Sequence, residues 1–269
     1  MNTYAEHYKE CRANTDIKSN KDSVYSSVYD LTIDTDFLTA DEEYHKLVGR
    51  LSKKIADKID NDIGCCHRDV ATYLNEWRDI EEITELTDLI MPQIEQNVFH
   101  CNAQIEFLMP YRNNFYEGAP EASWLWHYDD CPKEFIKFVA YLNETSEDSG
   151  CLQYVTGPGN SIPVLPTFRE APNKPVMKQY FAGSRIPSEA LRSLHDQGAH
   201  SASLVGPPGT YALFTPNIIH RATSPKPNTT PREAIFFFIR PTLKKHASYI
   251  NNDVHSILPE RNVKQYELD

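Results

Sequence analysis

Two side chains two positions apart, His127 and Asp129 in the stretch WLWHYDD, set the first chemical possibility. In an extended backbone, positions i and i+2 project to one side, so this imidazole and carboxylate share a face while Tyr128 and Asp130 share the other. Such a pair can hold a divalent metal, although a lone HxD is more often a solvated surface pair than a ligand pair. A third donor, His220, lies 91 residues beyond Asp129, after an apolar run and a Thr-Pro-Asn turn. Two imidazoles and one carboxylate form a facial set with open coordination positions, which suits non-haem Fe(II) that must bind a cosubstrate and oxygen. A thiolate-rich set would have favoured zinc. Twelve residues beyond His220 stands Arg232, at the start of the run EAIFFFI. If the two runs pair as a hairpin, His220 and Arg232 lie near one another across it.

The elements that must position these residues fall into two textures. Residues 1–28 show little apolar periodicity and read as a flexible N-terminal arm. The stretch TADEEYHKLVGRLSKKIADKI carries Tyr44, Leu47, Val48, Leu51, Ile55 and Ile59 at helical spacing, with Thr39 and Glu42 as a capping box. A second helix is expected over about 79–96, with Ile83, Leu86, Ile90 and Ile94 as its stripe and Pro92 as a kink or end point. After residue 97 come FHCNAQIEFLMPY, KFVAYLNE, CLQYVTG, GTYALFTPN and EAIFFFIRP, short β-branched and aromatic runs bounded by turn residues. Helices followed by strands predict a mainly β fold, an antiparallel sandwich or barrel with a helical layer on one face. The simplest organisation is one domain over 29–269: a helical layer to about 97, a β core over about 98–245 and a tail over about 246–269. GPGN at Gly157–Asn160 lacks the strand–GxGxxG–helix context of a dinucleotide loop and reads as a turn.

Composition narrows the function classes. The chain of 269 residues has a net charge of −11, which argues against nucleic acid as a partner. No apolar run reaches the length of a membrane helix, and the polar N-terminus lacks the apolar core of a secretory signal, so a cytoplasmic location away from membranes is expected. Cys11, Cys65, Cys66, Cys101, Cys131 and Cys151 show no CxxC spacing and read as reduced thiols; the CCH at 65–67 has no second cysteine pair to complete a zinc site. The acidity is uneven. Residues 30–100 hold 17 acidic against 7 basic residues, whereas residues 161–200 hold 5 basic against 3 acidic ones.

The stretch from about Glu106 to Pro241 resembles the phytanoyl-CoA dioxygenase family of Fe(II)/2-oxoglutarate oxygenases. WHYDD matches the metal motif, AYLNETSEDSGCLQYVTGPGN the strand–acidic turn–Gly-Cys-Leu–strand segment, and GTYALFTPNIIHRATS…PREAI the distal histidine and arginine. The middle segment contains no metal ligand, so its agreement is separate support. The resemblance implies a double-stranded β-helix, a jelly-roll flanked by helices. It implies His127, Asp129 and His220 as iron ligands, and Arg232 as the fork that grips the distal carboxylate of 2-oxoglutarate. Arg221 and Arg240 compete for that role; Arg221 should point away from the ligand beside it, and Arg240 should face solvent or a loop. The family's small hydroxyl residue two positions after the distal histidine is Ala222 here, which leaves Thr223 as the candidate for that contact. Trp124 is placed to pack against the cosubstrate, and Tyr111, Trp126 and Phe236–Phe238 are candidate walls.

The chemistry implied is oxidative decarboxylation of 2-oxoglutarate with O2 to succinate and CO2, coupled to hydroxylation of a small molecule in a dry pocket. Retention of Asp129, where a related group has alanine and room for halide, favours hydroxylation over halogenation. The long connection over 160–203 reads as a lid or binding loop. Its Arg169, Lys174, Lys178, Arg185, Arg192, His195 and His200 suggest an anionic substrate. Two other classes remain open: a non-catalytic jelly-roll that binds a ligand, and a cupin-type metal isomerase. The oligomeric state is not legible.

Overall fold

The helical stripe read from the sequence is the inner face of a helical layer. In the computed structural model, which describes residues 3–38, 42–118, 122–166, 184–245, 247–250 and 254, Tyr44, Leu47, Val48, Leu51, Ile55 and Ile59 of α2 (Glu42–Asp60) are all buried. The Thr39 half of the expected capping box lies outside the described residues. The second helix, α3 (Glu81–Ile94), packs beside α2, with Ile83, Leu86, Ile90 and Ile94 buried and Lys54–Glu82 and Lys58–Asp79 pairs along the seam. It passes through Pro92 and widens into a π turn over Glu95–Phe99. Proline removes an intrahelical donor, and a wider turn is one way for the backbone to absorb that loss.

The β elements form two antiparallel sheets. The larger has the order β1-β8-β5-β10-β4-β3-β2, built from β1 (Ile33–Asp34), β2 (Cys65–Arg68), β3 (Ala71–Leu74), β4 (Ala103–Asn113), β5 (Ile136–Tyr141), β8 (Tyr211–Phe214) and β10 (Glu233–Pro241). In the smaller, β6 (Leu152–Thr156) lies between β7 (His200–Leu204) and β9 (His220–Ala222). This is the double-stranded β-helix expected from the sequence. Alternation along the central strands decides which residues face where. Ile136, Phe138 and Ala140 of β5, with Ile235, Phe237 and Ile239 of β10, pack against the helices in the main core. Val139, Tyr141, Ala234, Phe236 and Phe214 face the other way, toward the smaller sheet.

The structure corrects two expectations. The runs carrying His220 and Arg232 do not form a hairpin. β9 pairs with β6, and β10 inserts between β4 and β5, so the connection crosses from one sheet to the other. The apolar run of β10 is buried on both faces, which a central strand of the larger sheet requires and an edge hairpin does not. Part of the N-terminal arm is also ordered. Residues Tyr4–Ala13 form α1, with a Thr3–Glu6 capping box, and Tyr8 and Cys11 join the main core. Tyr8 and Cys11, with His7 buried beside them, suffice to dock this short helix once a surface exists to receive them. None of the six cysteines, all of them among the described residues, forms a disulfide. Among the described residues, no helix is long and apolar enough to cross a membrane.

Tyr8 ties α1 to the body. Its hydroxyl donates to the Phe99 carbonyl (2.9 Å) and accepts from the Val28 N–H (3.2 Å), in a buried setting. Tyr8→Phe leaves both backbone groups unpaired and is expected to lower stability by about 1–3 kcal/mol in chemical denaturation.

Candidate metal centre

One reciprocal backbone pair assembles the centre. The His127 N–H donates to the His220 carbonyl (3.0 Å), and the His220 N–H donates back to His127 (2.8 Å). His220 enters this pair from β9, and His127 is held as a single antiparallel bridge rather than a full strand, with Arg185 bridged on its other side. Two residues on, the Asp129 N–H donates to the Pro216 carbonyl (2.9 Å). The fully buried Asn217 then locks the next turn: its side chain accepts from the Cys131 N–H (3.1 Å) and donates to the Cys131 carbonyl (2.7 Å). Asp130, with φ of 51°, turns the chain away after Asp129.

These constraints bring His127, Asp129 and His220 together, with one candidate ligand atom from each lying within 4.8 Å of the others. The two Asp129 oxygens lie 3.6 Å from Nε2 of His127 and 3.6 Å from Nε2 of His220. Donors about 2.1 Å from a shared cation sit about 3 Å apart, so only a small contraction separates this arrangement from a ligand set. Nδ1 of His127 donates to the Leu125 carbonyl (2.7 Å) and Nδ1 of His220 to the Ile218 carbonyl (2.9 Å). A carbonyl only accepts, so each imidazole carries its proton on Nδ1 and turns the lone pair of Nε2 inward. Nε2 of His220 is buried with no hydrogen-bond partner.

The protonation states suit a cation. Burial, aided by the neighbouring His220, pushes the His127 imidazole down to about 3. Burial also lowers His220. For Asp129, burial acts to raise the carboxyl, but the Lys137 ammonium and the two imidazoles outweigh it and hold the group well below the usual carboxylate range. Near neutral pH the set is therefore two neutral imidazoles and one carboxylate, the forms a divalent metal binds. The donor set, the turned-in nitrogens and the orphaned His220 Nε2 fit Fe(II).

Arg232 lies immediately before β10 and is 2% exposed. Its guanidinium sits over the rings of Tyr111 (5.4 Å) and Tyr141 (5.5 Å) and donates to the Asn113 side-chain oxygen at 3.4 Å, while its Nε has no partner. No acid pairs with it among the described residues. Asn113 is itself fixed, donating to the Gly150 carbonyl at 2.9 Å. Gly150, at φ +92°, has to be glycine here, because a Cβ would come within 2.5 Å of Asn113 Nδ2 and 2.9 Å of the Thr223 carbonyl. An unpaired buried cation is costly, so this pocket is built for an anion. The competing arginines are committed elsewhere. Arg221 stacks on Trp126 (4.5 Å) and binds the Gln153 side-chain oxygen through two nitrogens. Arg240 pairs with Glu106 (3.0 Å) and is buried, which corrects the expectation that it faces solvent or a loop. Its strand is central, so even the strand end is covered.

The remaining sequence candidates are placed unevenly. Trp124 is buried among Val70, Ala71 and Ala222 with Tyr111 beside them, and its Nε1 has no partner. Thr223 is not brought to the triad; its hydroxyl donates to the Cys151 carbonyl (3.3 Å). Tyr111, Phe236 and Phe238 line the space between the sheets, whereas Phe237 faces the helices and Trp126 is covered by Arg221. Of the basic rim, Arg185 is bridged to His127, Arg192 and His195 are exposed, and His200 pairs with Thr156; Arg169, Lys174 and Lys178 lie outside the described residues. Sequence reasoning passed over three residues that matter here: Lys137, which donates to Asp129 (3.1 Å), Asn113 and Asn217. Lys137 alone carried a signal, as a lone charge within the apolar run FIKFVAYL.

No protein-family model and no curated protein matches the chain. Solved structures do match in fold. EctD from S. alaskensis, crystallised with 2-oxoglutarate and 5-hydroxyectoine, aligns with TM-score 0.52 at 15% identity over 85% of this chain and 80% of its own. The non-heme alpha ketoglutarate dependent epimerase SnoN from nogalamycin biosynthesis aligns with TM-score 0.53 at 12% identity, covering 87% and 83%. EctD has also been crystallised with bound Fe, and that structure aligns with TM-score 0.51 at 15% identity over 86% and 83%. At these identities the likeness is one of fold.

The lowered imidazoles predict how metal binding responds to acid. Protonation competes with the metal only as pH falls toward the depressed value near 3 for His127, not through the ordinary 6.5. Anaerobic titration with Fe(II) is therefore expected to show affinity falling less than about tenfold from pH 8 to pH 5. Two ordinary histidines would each lose about tenfold per unit below 6.5.

Proposed function

We propose that the protein is an Fe(II)/2-oxoglutarate-dependent oxygenase of the phytanoyl-CoA dioxygenase type that hydroxylates a small molecule. One observation carries this reading. Three metal donors in the right protonation state, borne by the smaller sheet, are accompanied by a separate buried arginine at the larger sheet that has no acid partner among the described residues. A cupin-type isomerase needs the first feature but not the second, and a ligand-binding jelly-roll needs neither in combination. The fold shared with EctD and SnoN, which are described with 2-oxoglutarate, Fe or alpha ketoglutarate dependence, supports the same conclusion.

His127, Asp129 and His220 would hold Fe(II), leaving positions for 2-oxoglutarate and O2. Bound there, the iron and cosubstrate supply oxidative decarboxylation to succinate and CO2, with transfer of one oxygen atom to a substrate C–H bond. The chain's own residues bind and orient. Arg232 offers a fork of donors to the distal carboxylate, and its contacts to Asn113, Tyr111 and Tyr141 hold the fork in place. Trp124 supplies an indole N–H beside Tyr111 with no competing partner. Val139, Phe214, Phe236 and Phe238 line the space near the donors, and such apolar walls keep water away from the reacting groups.

The decisive assay is succinate release from 2-oxoglutarate by iron-loaded protein without any prime substrate. Release is expected in the wild type. His127→Ala, His220→Ala and Asp129→Ala should each abolish it together with tight iron binding, since each removes one of three protein ligands; near-normal release in any of them overturns the assignment. Arg232→Ala should keep iron but raise the 2-oxoglutarate requirement by the equivalent of on the order of 2–5 kcal/mol. Arg221→Ala, which removes only the contacts to Trp126 and Gln153, should leave that requirement near wild type. The reverse pattern would assign the cosubstrate to the wrong arginine.

A further inference from the structure

Lys137 is a second cation on the inner face of the larger sheet, partly buried, and it is not one of the three metal donors. It projects from β5 between the larger sheet's own aromatics, its ammonium lying 4.8 Å from the ring of Phe238, 5.1 Å from Phe236 and 5.8 Å from Phe214. The side chain is 16% exposed. Asp129, at 3.1 Å, is its only hydrogen-bond partner and its only acid among the described residues. An ammonium has three N–H donors, so two are left without a hydrogen-bond acceptor among the described residues.

Register separates this cation from Arg232. Ala234, two residues after Arg232, lies opposite Tyr141, while Lys137 lies opposite Phe238. Lys137 and Tyr141 are four residues apart on one strand, about 13 Å. Arg232 packs on Tyr141 at one end of that span, and Lys137 meets Asp129 at the other. A 2-oxoglutarate held through its distal carboxylate by Arg232 would enter from the Tyr141 end of that span, opposite the end at which Lys137 stands. Charge points the same way. In the loaded site a dication is balanced by Asp129 and the proximal carboxylate, and Arg232 by the distal one. Asp129 then shares its charge with the metal, and the ammonium, surrounded by three aromatic rings, lacks an anion of its own.

We infer that Lys137 is the specificity-determining residue for the prime substrate, and that this substrate carries an anionic head group on an apolar body. The ammonium takes the anion, and Phe214, Phe236 and Phe238 take the adjoining apolar part. The inference rests on the oxygenase reading for the placement of metal and cosubstrate, and the test separates the two.

Metal and 2-oxoglutarate binding are first titrated anaerobically in the wild type by calorimetry; failure at this step overturns the oxygenase reading by itself. Benzoate and octanoate, with benzamide and octanamide as their neutral counterparts, are then titrated with 2-oxoglutarate saturating, so that the metal and Arg232 are already occupied. At least one acid is expected to bind ten-fold or more tightly than its amide. Lys137→Met, which keeps a chain of similar length against the three rings, should erase that preference, and Lys137→Arg should keep most of it. An equal affinity for acids and amides in the wild type overturns the inference, as does a preference that survives in Lys137→Met. If Lys137→Met fails to fold, Lys137→Gln provides the same comparison with a neutral polar head.

Discussion

The reciprocal hydrogen bonds between the backbones of His127 and His220 are the constraint on which the candidate site depends. They bring together segments more than ninety residues apart and leave the two imidazoles side by side, with ring centroids 4.4 Å apart. Because the pair is made by main-chain atoms, side-chain substitution at either histidine leaves it available. Asn217 reinforces the same junction from below, holding Cys131 at both its N–H and its carbonyl. Asp129 is thus confined between two fixed points, the bridge at His127 and the clamp at Cys131.

That junction belongs to the smaller sheet, whereas the buried Arg232 and the partly buried Lys137 belong to the larger one. The centre is therefore an interface between sheets, with the metal donors on one side and two cationic side chains on the other. Each sheet is rigid for its own reasons. The larger is anchored by the helices through Ile136, Phe138, Ile235 and Phe237, and the smaller by pairing of β6 with both of its neighbours. Sites built on paired strands hold their geometry better than sites built on loops.

Keeping Arg232 buried and Lys137 partly buried works against stability. A desolvated guanidinium with no acid partner among the described residues is unfavourable, and the Lys137 ammonium, beside three rings, has only the Asp129 carboxylate there. The aromatic rings around both cations offset part of that cost through cation–π contact, about 0.5–2 kcal/mol each. The larger core of helices and outward-facing strand residues has to carry the remainder, which gives the helical layer a role in function although none of its residues reaches the centre. A protein arranged in this way gains stability when its ligands bind.

Much of this was legible in the sequence. The stripe of α2, the β runs after residue 97, the triad and Arg232 all rest on local periodicity or on residue types whose chemistry restricts their use, and local signals survive without knowledge of partners. The pairing of strands was not legible. β9 and β10 are neighbours in sequence and were expected to form a hairpin, but the apolar run of β10 is sheltered on both faces and so belongs at the centre of the larger sheet. The same property hid Lys137. Ile136, Phe138 and Ala140 are as apolar as Val139 and Tyr141, so parity along β5 could not say which set faced the cavity. α1 was missed because Tyr8 and Cys11 make only a faint stripe, too weak to read without the surface that buries them. The sequence by itself determined which side chains could bind a metal and an anion, because that depends on their chemistry. Only the tertiary structure decided which faces meet, because a strand buried on both sides carries no mark of inside and outside until its neighbours are in place.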